Sequence, residues 1–319
     1  MNPIKEHAPI TNIVAIDLET ANPYHSSACA VAGVRFDLAS GEIAARTYSL
    51  INPKEYFDPF YIAIHGITPE MVQDAPLFPE AIRDVYALLD EGSLVVSHNV
   101  AFDISALRES YKDAPRDIPD IIFTCTYRLA KQICPGLVSY TLPNVAAAYG
   151  VTGLNHHHAD SDAEICGKIF LAMLSNYGSI DEMLEAAKLN IGTIRAGEYD
   201  GVHRLDAREH TGFHFSERAG KPLPAFTVGP SSPFYEKTVV FTGALSSMPR
   251  KNAESIIQQI GGIVGKGVTK NADFLITGYQ DPRALNGHEK SAKVMAAEKL
   301  LAAGHQIEVI PEEEFLKML

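Results

Sequence analysis

The most informative segment of this 319-residue chain is Ile13-Val-Ala-Ile-Asp-Leu-Glu-Thr-Ala-Asn22. Its first four residues form a short apolar run rich in β-branched side chains, which is typical of a buried strand. Asp17 and Glu19 follow, and residues two positions apart on a strand point to the same side of the sheet. Two carboxylates on one buried face repel each other and lose hydration, so the pattern favours a bound divalent cation. A solvated strand end is the alternative for an isolated Asp-x-Glu.

The composition is that of a globular protein with two domains. Apolar residues make up 46% of the chain and charged residues 21%, and the length allows two cores. We expect no membrane span, no signal peptide and a cytoplasmic location, because no long apolar stretch occurs and the four cysteines lack a C-x-x-C pair.

The net charge of −12 is unevenly distributed. Residues 234–319 hold ten Lys/Arg and ten Asp/Glu, so the whole excess of negative charge lies in residues 1–233. This argues against a protein that coats nucleic acid nonspecifically, because such binding needs clustered cations. An acidic domain can still act on nucleic acid if part of its charge forms a metal site.

Hydrophobic patterning predicts alternating strands and helices in the first half of the chain. The predicted strands cover residues 28–36, 42–51, 94–97 and 121–124, and helical spacing occurs at 79–89, 141–149 and 180–189. Thr68-Pro69 is typical of a helix start, and Ser161 with Glu164 has the spacing of a capping box. Residues 176–233 are interpreted as a linker or a peripheral extension, because their periodicity is weak and residues 212–233 are rich in Gly, Pro and Ser.

Further polar residues follow the predicted strands and begin the predicted helices. Asp103 follows the strand at 94–97, and Asp162 follows a loop that contains His156, His157 and His158. Taken singly, Asp103 could be a helix-dipole partner and the histidines a fortuitous metal-binding tract. Taken together, four carboxylates at one sheet edge could hold two divalent cations about 3.5–4 Å apart, with a histidine as general base for phosphodiester hydrolysis.

Four ordered blocks carry a resemblance to a known family. They are Ile16-Asp-Leu-Glu-Thr20, Ile64-His-Gly-Ile-Thr68, His98-Asn-Val-Ala-Phe-Asp103 and His157-His-Ala-Asp-Ser-Asp162. In this order and spacing they resemble the histidine subgroup of the DEDD-type 3′→5′ exonucleases, which includes the proofreading epsilon subunit of bacterial DNA polymerase III. The resemblance covers residues 10–175 and implies a ribonuclease-H-like mixed sheet flanked by helices, together with two Mg²⁺ or Mn²⁺ ions.

The resemblance also implies individual roles. The metal-binding carboxylates would be Asp17, Glu19, Asp103 and Asp162. His157, five positions before the last Asp, would be the general base, although His156 and His158 remain alternatives. Thr20, His65 and Phe102 would lie near the terminal nucleotide. An aromatic side chain such as Phe102 can stack on a base, and the alternative is a core position in its helix.

The segment at 234–319 resembles a BRCT domain, most like the one that ends NAD-dependent DNA ligases. Its pattern predicts a small parallel α/β domain of order βαββαβα, and the resemblance rests on Val239-Val-Phe-Thr-Gly243, Gly261-Gly262, the run 268–276, Ser291-Ala-Lys293 and Glu312-Glu-Glu-Phe315. Thr242, Gly243 and Lys293 match a phosphate site of some members, and Lys270 is an additional candidate. A structural turn at Thr242-Gly243 is the alternative.

Two functions follow from these observations. The first is a metal-dependent 3′→5′ exonuclease acting on nucleic acid with a 3′ end, single-stranded DNA favoured over RNA, whose BRCT domain docks to DNA ends or to repair or replication partners. The second is a BRCT-based scaffold with a vestigial nuclease fold. The presence of all four carboxylates favours the enzyme.

Overall fold

The computed structural model describes residues 8–22, 24–112, 115–137, 139–153, 158–205, 229–230, 232–245, 248–278 and 290–319. Within these ranges the chain forms two α/β units, which are linked by hydrogen bonds and ion pairs. The first contains a mixed sheet of seven strands, and the second a parallel sheet of four strands.

The seven strands of the first sheet are β1 (Asn12–Thr20), β2 (Ala28–Asp37), β3 (Ile43–Leu50), β4 (Ser93–Ser97), β5 (Ile121–Cys125), β6 (Gly192–Arg195) and β7 (Glu198–Asp200). Their order across the sheet is β3-β2-β1-β4-β5-β6-β7. The pairs β1–β4 and β4–β5 are parallel, and the outer pairs are antiparallel. This is the mixed sheet that the sequence predicts for a ribonuclease-H-like fold.

In the described part of this unit, seven α-helices surround the sheet. They are α1 (Pro59–His65), α2 (Phe78–Tyr86), α3 (Val100–Ser110), α4 (Thr126–Ile133), α5 (Leu142–Ala148), α6 (Ala159–Leu174) and α7 (Ile180–Ala187). The longest, α6, packs closely on β1 and β2 because it presents Gly167 to the ring of Phe36, where a Cβ atom would lie 2.2 Å from Cε2. This packing holds the first turn of α6 beside the end of β1.

The second unit has the predicted element order. It consists of β8 (Thr238–Thr242), α8 (Arg250–Ile260), β9 (Ile263–Gly265), β10 (Phe274–Thr277), α9 (Ala292–Ala302), β11 (Glu308–Pro311) and α10 (Glu312–Lys317). All strands are parallel, in the order β11-β10-β8-β9. The ring of Phe315 in α10 lies 5.4 Å from that of Phe241 and 5.5 Å from that of Phe234, so it belongs to the aromatic core of this unit.

Two local predictions are wrong. Thr68-Pro69 starts no helix, since α1 ends at His65 and residues 69–74 form turns. Ser161 does not cap α6, because this helix begins at Ala159 with His158 as its N-cap residue. Ser161 is the third residue of the helix, so it does not occupy the N-cap position that a capping box requires.

The interpretation of residues 176–233 as a linker or a peripheral extension stays a prediction. Within this segment, α7 packs on α4 and α6, and β6 and β7 extend the first sheet at the β5 edge. Residues 206–228 lie outside the described ranges. Among the helices that are described, none is both long and apolar enough to cross a membrane.

Candidate metal centre

Three of the four predicted carboxylates meet at the end of β1. One oxygen each of Asp17, Glu19 and Asp162 lies within 4.8 Å of the other two. Asp17 and Glu19 share a face of β1 because they are two residues apart, and α6 carries Asp162 in its first turn against that face. Glu19 is 2% and Asp162 1% exposed, so the site has little access to water.

Asp103 lies beside this group, held by two hydrogen bonds. Its Oδ1 accepts from the backbone N–H of Leu18 at 3.1 Å, and its Oδ2 accepts from the hydroxyl of Ser97 in a very short contact. Asp103 and Ser97 are 1% and 0% exposed. Sequence analysis did not identify Ser97, although a hydroxyl that ends a buried strand directly before the His98–Asp103 block is a signal that could have found it.

The electrostatics of the carboxylates show the cost of placing them together. Burial raises the pKa of Asp17 well above its usual range, the charge of Lys317 opposes this, and the neighbouring carboxylates raise it further. Burial also raises the pKa of Asp103 to about 7, against the hydrogen bond from Ser97 and the charge of Lys317. Such perturbed carboxylic acids are characteristic of functional sites.

The carboxylates fit a divalent cation. Buried Asp17 Oδ2 and Glu19 Oε1 have no hydrogen-bond partner among the described residues. A buried anionic oxygen without a donor is costly, and a hard cation such as Mg²⁺ or Mn²⁺ provides the missing partner.

A cation of the chain itself reaches this cluster. Nζ of Lys317, the last residue of α10, lies 3.7 Å from Oε2 of Glu19, and its side chain is 18% exposed. Burial alone would lower the pKa of Lys317, but Glu19 and Asp17 raise it above the ordinary value. No local sequence pattern pointed to this residue.

The residues predicted to lie near a terminal nucleotide are also gathered here, but they are buried. Nδ1 of His65 accepts from the backbone N–H of Ile67 at 3.0 Å, which leaves Nε2 to donate to the carbonyl oxygen of Thr20 at 3.1 Å. His65 therefore orients the backbone next to Glu19. Phe102 is 8% exposed and contacts the ring of His25 edge to face at 5.3 Å.

Of the three consecutive histidines, only His158 lies within the described residues. It is exposed and precedes the first turn of α6, the turn that carries Asp162. His156 and His157 lie outside the described residues, so the assignment of His157 as general base stays a prediction.

The three BRCT residues come together at the end of β8. Nζ of Lys293 donates to the carbonyl oxygen of Phe241 at 2.8 Å, and the hydroxyl of Thr242 lies 3.1 Å from that of Ser291. Arg250 donates to the carbonyl oxygen of Gly243 in a short contact. Partial burial and the nearby Arg250 lower the pKa of Lys293. Two cations and two hydroxyls thus meet at one strand end.

Comparison with known proteins agrees with this description. Residues 14–170 match the Exonuclease family, and residues 229–319 match the BRCA1 C Terminus (BRCT) domain family. The first unit, which matches the Exonuclease family, is called the exonuclease domain, and the second unit, which matches the BRCT family, is called the BRCT domain.

Two curated relatives are similar to the exonuclease domain. The 3′-5′ exonuclease DinG of Bacillus subtilis is 31% identical over 137 residues, which cover 43% of this chain and 15% of that protein. The DNA polymerase III subunit epsilon of Treponema pallidum is 29% identical over 178 residues, which cover 54% of this chain and 80% of the relative. The chain therefore spans only a small part of DinG but most of the epsilon subunit.

Among solved structures, Exonuclease X in complex with 5′ overhanging duplex DNA is similar, with 24% identity and a TM-score of 0.45. The matched region is 55% of this chain and 99% of the Exonuclease X chain.

Proposed function

We propose that the protein is a divalent-metal-dependent 3′→5′ exonuclease that removes nucleotides from a nucleic-acid 3′ end, with single-stranded DNA favoured over RNA. The observation that carries the proposal is the cluster of Asp17, Glu19 and Asp162 with buried oxygens that lack hydrogen-bond donors. The relatives named 3′-5′ exonuclease and DNA polymerase III subunit epsilon support the direction and the preference for DNA.

The carboxylates would hold two Mg²⁺ or Mn²⁺ ions, which when bound supply activation of water and stabilisation of the leaving oxygen. Asp17 and Glu19 supply ligands from rigid β1, and Asp162 supplies one from α6. Asp103 is oriented by Ser97 and the Leu18 N–H, so that its carboxylate is aimed before any ion enters. Exclusion of water from this buried site strengthens each of these interactions.

His157 is the proposed general base, which takes a proton from the attacking water. A histidine suits this role because its unperturbed pKa lies near neutrality. In sequence it precedes Ala159, the first residue of α6, by two positions, and Asp162 belongs to the first turn of that helix. Thr20, His65 and Phe102 would then support the terminal nucleotide, with His65 acting through the backbone of Thr20.

For the BRCT domain we propose docking to a phosphorylated DNA end or to a repair or replication partner. The arrangement of Thr242, Gly243 and Lys293, with Arg250 and Ser291 around them, supports a phosphate as the recognised group. This would compensate for the acidic first domain, whose net charge disfavours long nucleic acid.

The alternative function is a scaffold whose nuclease fold no longer catalyses. All four carboxylates are present and at least three converge, which disfavours it, since nothing in a scaffold requires such a costly cluster.

The deciding experiment is digestion of end-labelled single-stranded DNA and RNA of one sequence by the full chain, with Mg²⁺, Mn²⁺ or EDTA. We expect stepwise shortening from the 3′ end that EDTA abolishes. Asp162→Asn should abolish it, while Asp160→Asn, an exposed carboxylate of the same helical turn, should not. Absence of shortening with either metal and either polymer would favour the scaffold.

A further inference from the structure

The C-terminal end of α10 reaches the candidate metal centre. Phe315 of α10 is fully buried in the core of the BRCT domain, and Leu316, with Met318 and Leu319 just beyond the helix, is likewise at most 6% exposed. The final residue of α10, Lys317, extends into the exonuclease domain, where Nζ lies 3.7 Å from Glu19 Oε2. Asn99, directly before α3, donates to the backbone carbonyl of Lys317 in a short contact. The helix end is therefore bound through both its side chain and its backbone.

A second contact between the two domains is made by residues outside the candidate metal centre. Glu308, the first residue of β11, is 3% exposed and accepts three hydrogen bonds from the exonuclease domain, each 2.9 Å long. The donors are the Tyr127 hydroxyl, the Lys131 ammonium and the Tyr140 backbone N–H. A buried carboxylate with three donors is a specific, built contact. Because β11 leads directly into α10, this contact sets the position of Lys317.

The ammonium of Lys317 lies beside the carboxylates that would hold a divalent cation, 3.7 Å from Glu19 Oε2. Asp17 and Glu19 on β1, Asp103 on α3, Asp162 on α6 and Glu314 on α10 all act on its charge. A single positive charge partly neutralises the cluster but leaves Asp17 Oδ2 and Glu19 Oε1 without hydrogen-bond donors. Lysine is thus an incomplete substitute for metal, one that a divalent ion can displace.

We propose that Lys317 is a tethered internal cation that keeps the exonuclease site closed while the BRCT domain is docked, and that release of α10 opens the site to divalent cations and to the nucleic-acid end. This inference rests on the proposed metal site. The BRCT domain would then have two competing docking sites. Binding to a partner or a DNA end would compete with binding to the exonuclease domain.

The test is Mn²⁺ binding to the full chain without nucleic acid, measured by titration calorimetry and by the loss of the free Mn²⁺ resonance signal. Lys317→Met keeps the length of the side chain and removes its charge, and should bind Mn²⁺ at least tenfold more tightly than the wild type. Lys299→Met, an exposed lysine of α9, is the matched control and should bind as the wild type does.

The second readout is the unfolding temperature, measured in EDTA and in Mn²⁺. In EDTA, Lys317→Met should unfold at a lower temperature than the wild type, because the carboxylates lose their counter-charge. Addition of Mn²⁺ should raise the unfolding temperature of Lys317→Met by more than it raises that of the wild type. A lysine that merely packed on the surface would produce neither change.

A remote variant tests the closure itself. Glu308→Gln leaves the candidate metal centre intact but weakens the interdomain contact. It should therefore increase Mn²⁺ affinity, as Lys317→Met does. The double variant with Lys317→Met should bind Mn²⁺ about as tightly as Lys317→Met alone, because both substitutions remove the Lys317 ammonium from the carboxylates.

The outcomes separate the two proposals. Equal Mn²⁺ affinity, within twofold, in wild type and Lys317→Met would overturn the inference about Lys317 and leave the metal site standing. Loss of nuclease activity in Lys317→Met with unchanged Mn²⁺ affinity would also overturn it, since Lys317 would then assist the reaction. No Mn²⁺ binding by any variant would overturn the proposed function itself.

Discussion

Ser97→Ala removes one of the two hydrogen bonds that orient the Asp103 carboxylate. The Ser97 hydroxyl donates to Oδ2, and the Leu18 N–H donates to Oδ1 at 3.1 Å. Both side chains are at most 1% exposed, so water cannot take the place of the missing donor without rearrangement. The variant therefore acts on a supporting contact of the metal centre and leaves every carboxylate in place.

The size of the effect follows from the charge on Asp103. A hydrogen bond to a charged group contributes about 1.5–3 kcal/mol. Since about 1.4 kcal/mol corresponds to a tenfold change in affinity, we expect a loss of roughly 10- to 150-fold. Residues that orient metal ligands typically cost about 10- to 100-fold in metal affinity when removed, which agrees with this range.

The assay is Mn²⁺ titration calorimetry on the full chain, together with initial rates of single-strand digestion. Thr124→Val is the matched control, because Thr124 lies opposite Val96 on the neighbouring strand and its buried hydroxyl has no hydrogen-bond partner among the described residues. This control should keep the wild-type affinity. If Ser97→Ala bound Mn²⁺ within twofold of the wild type, Asp103 would not be oriented by Ser97 for metal binding.

Three further outcomes are expected. His157→Ala should slow digestion by about 10²–10⁴-fold if it is the general base, whereas His158→Ala should stay near wild type; the reverse would reassign the base. Gly167→Ala places a Cβ against a buried phenylalanine ring of β2 and should lower the free energy of unfolding by about 1–3 kcal/mol, whereas Gly267→Ala, in open space, should not; equal urea midpoints would refute this. Lys293→Met should weaken binding to a 5′-phosphorylated duplex end by about tenfold in fluorescence anisotropy, and unchanged binding would remove this residue from the phosphate site.

The local arrangement of the chain was largely predictable from its patterns. Alternating and continuous apolar runs predicted β1, β4 and β5. The carboxylates that follow these strands indicated the candidate site, because the ends of neighbouring strands in one sheet meet at one edge. The element order of the BRCT domain followed from the same rules. Local signals failed at Thr68 and Ser161, where tertiary packing sets the helix boundaries.

The sequence alone thus determined which carboxylates exist and where along the chain they occur, because each belongs to a short pattern with a fixed period. The tertiary structure decided what surrounds them. Asn99 and Lys317 are 218 positions apart, and no local pattern records that the last helix enters the metal centre. The same holds for Glu308, whose donors lie in the other domain. Contacts of this kind depend on how two folded units pack, and packing is a property of whole surfaces.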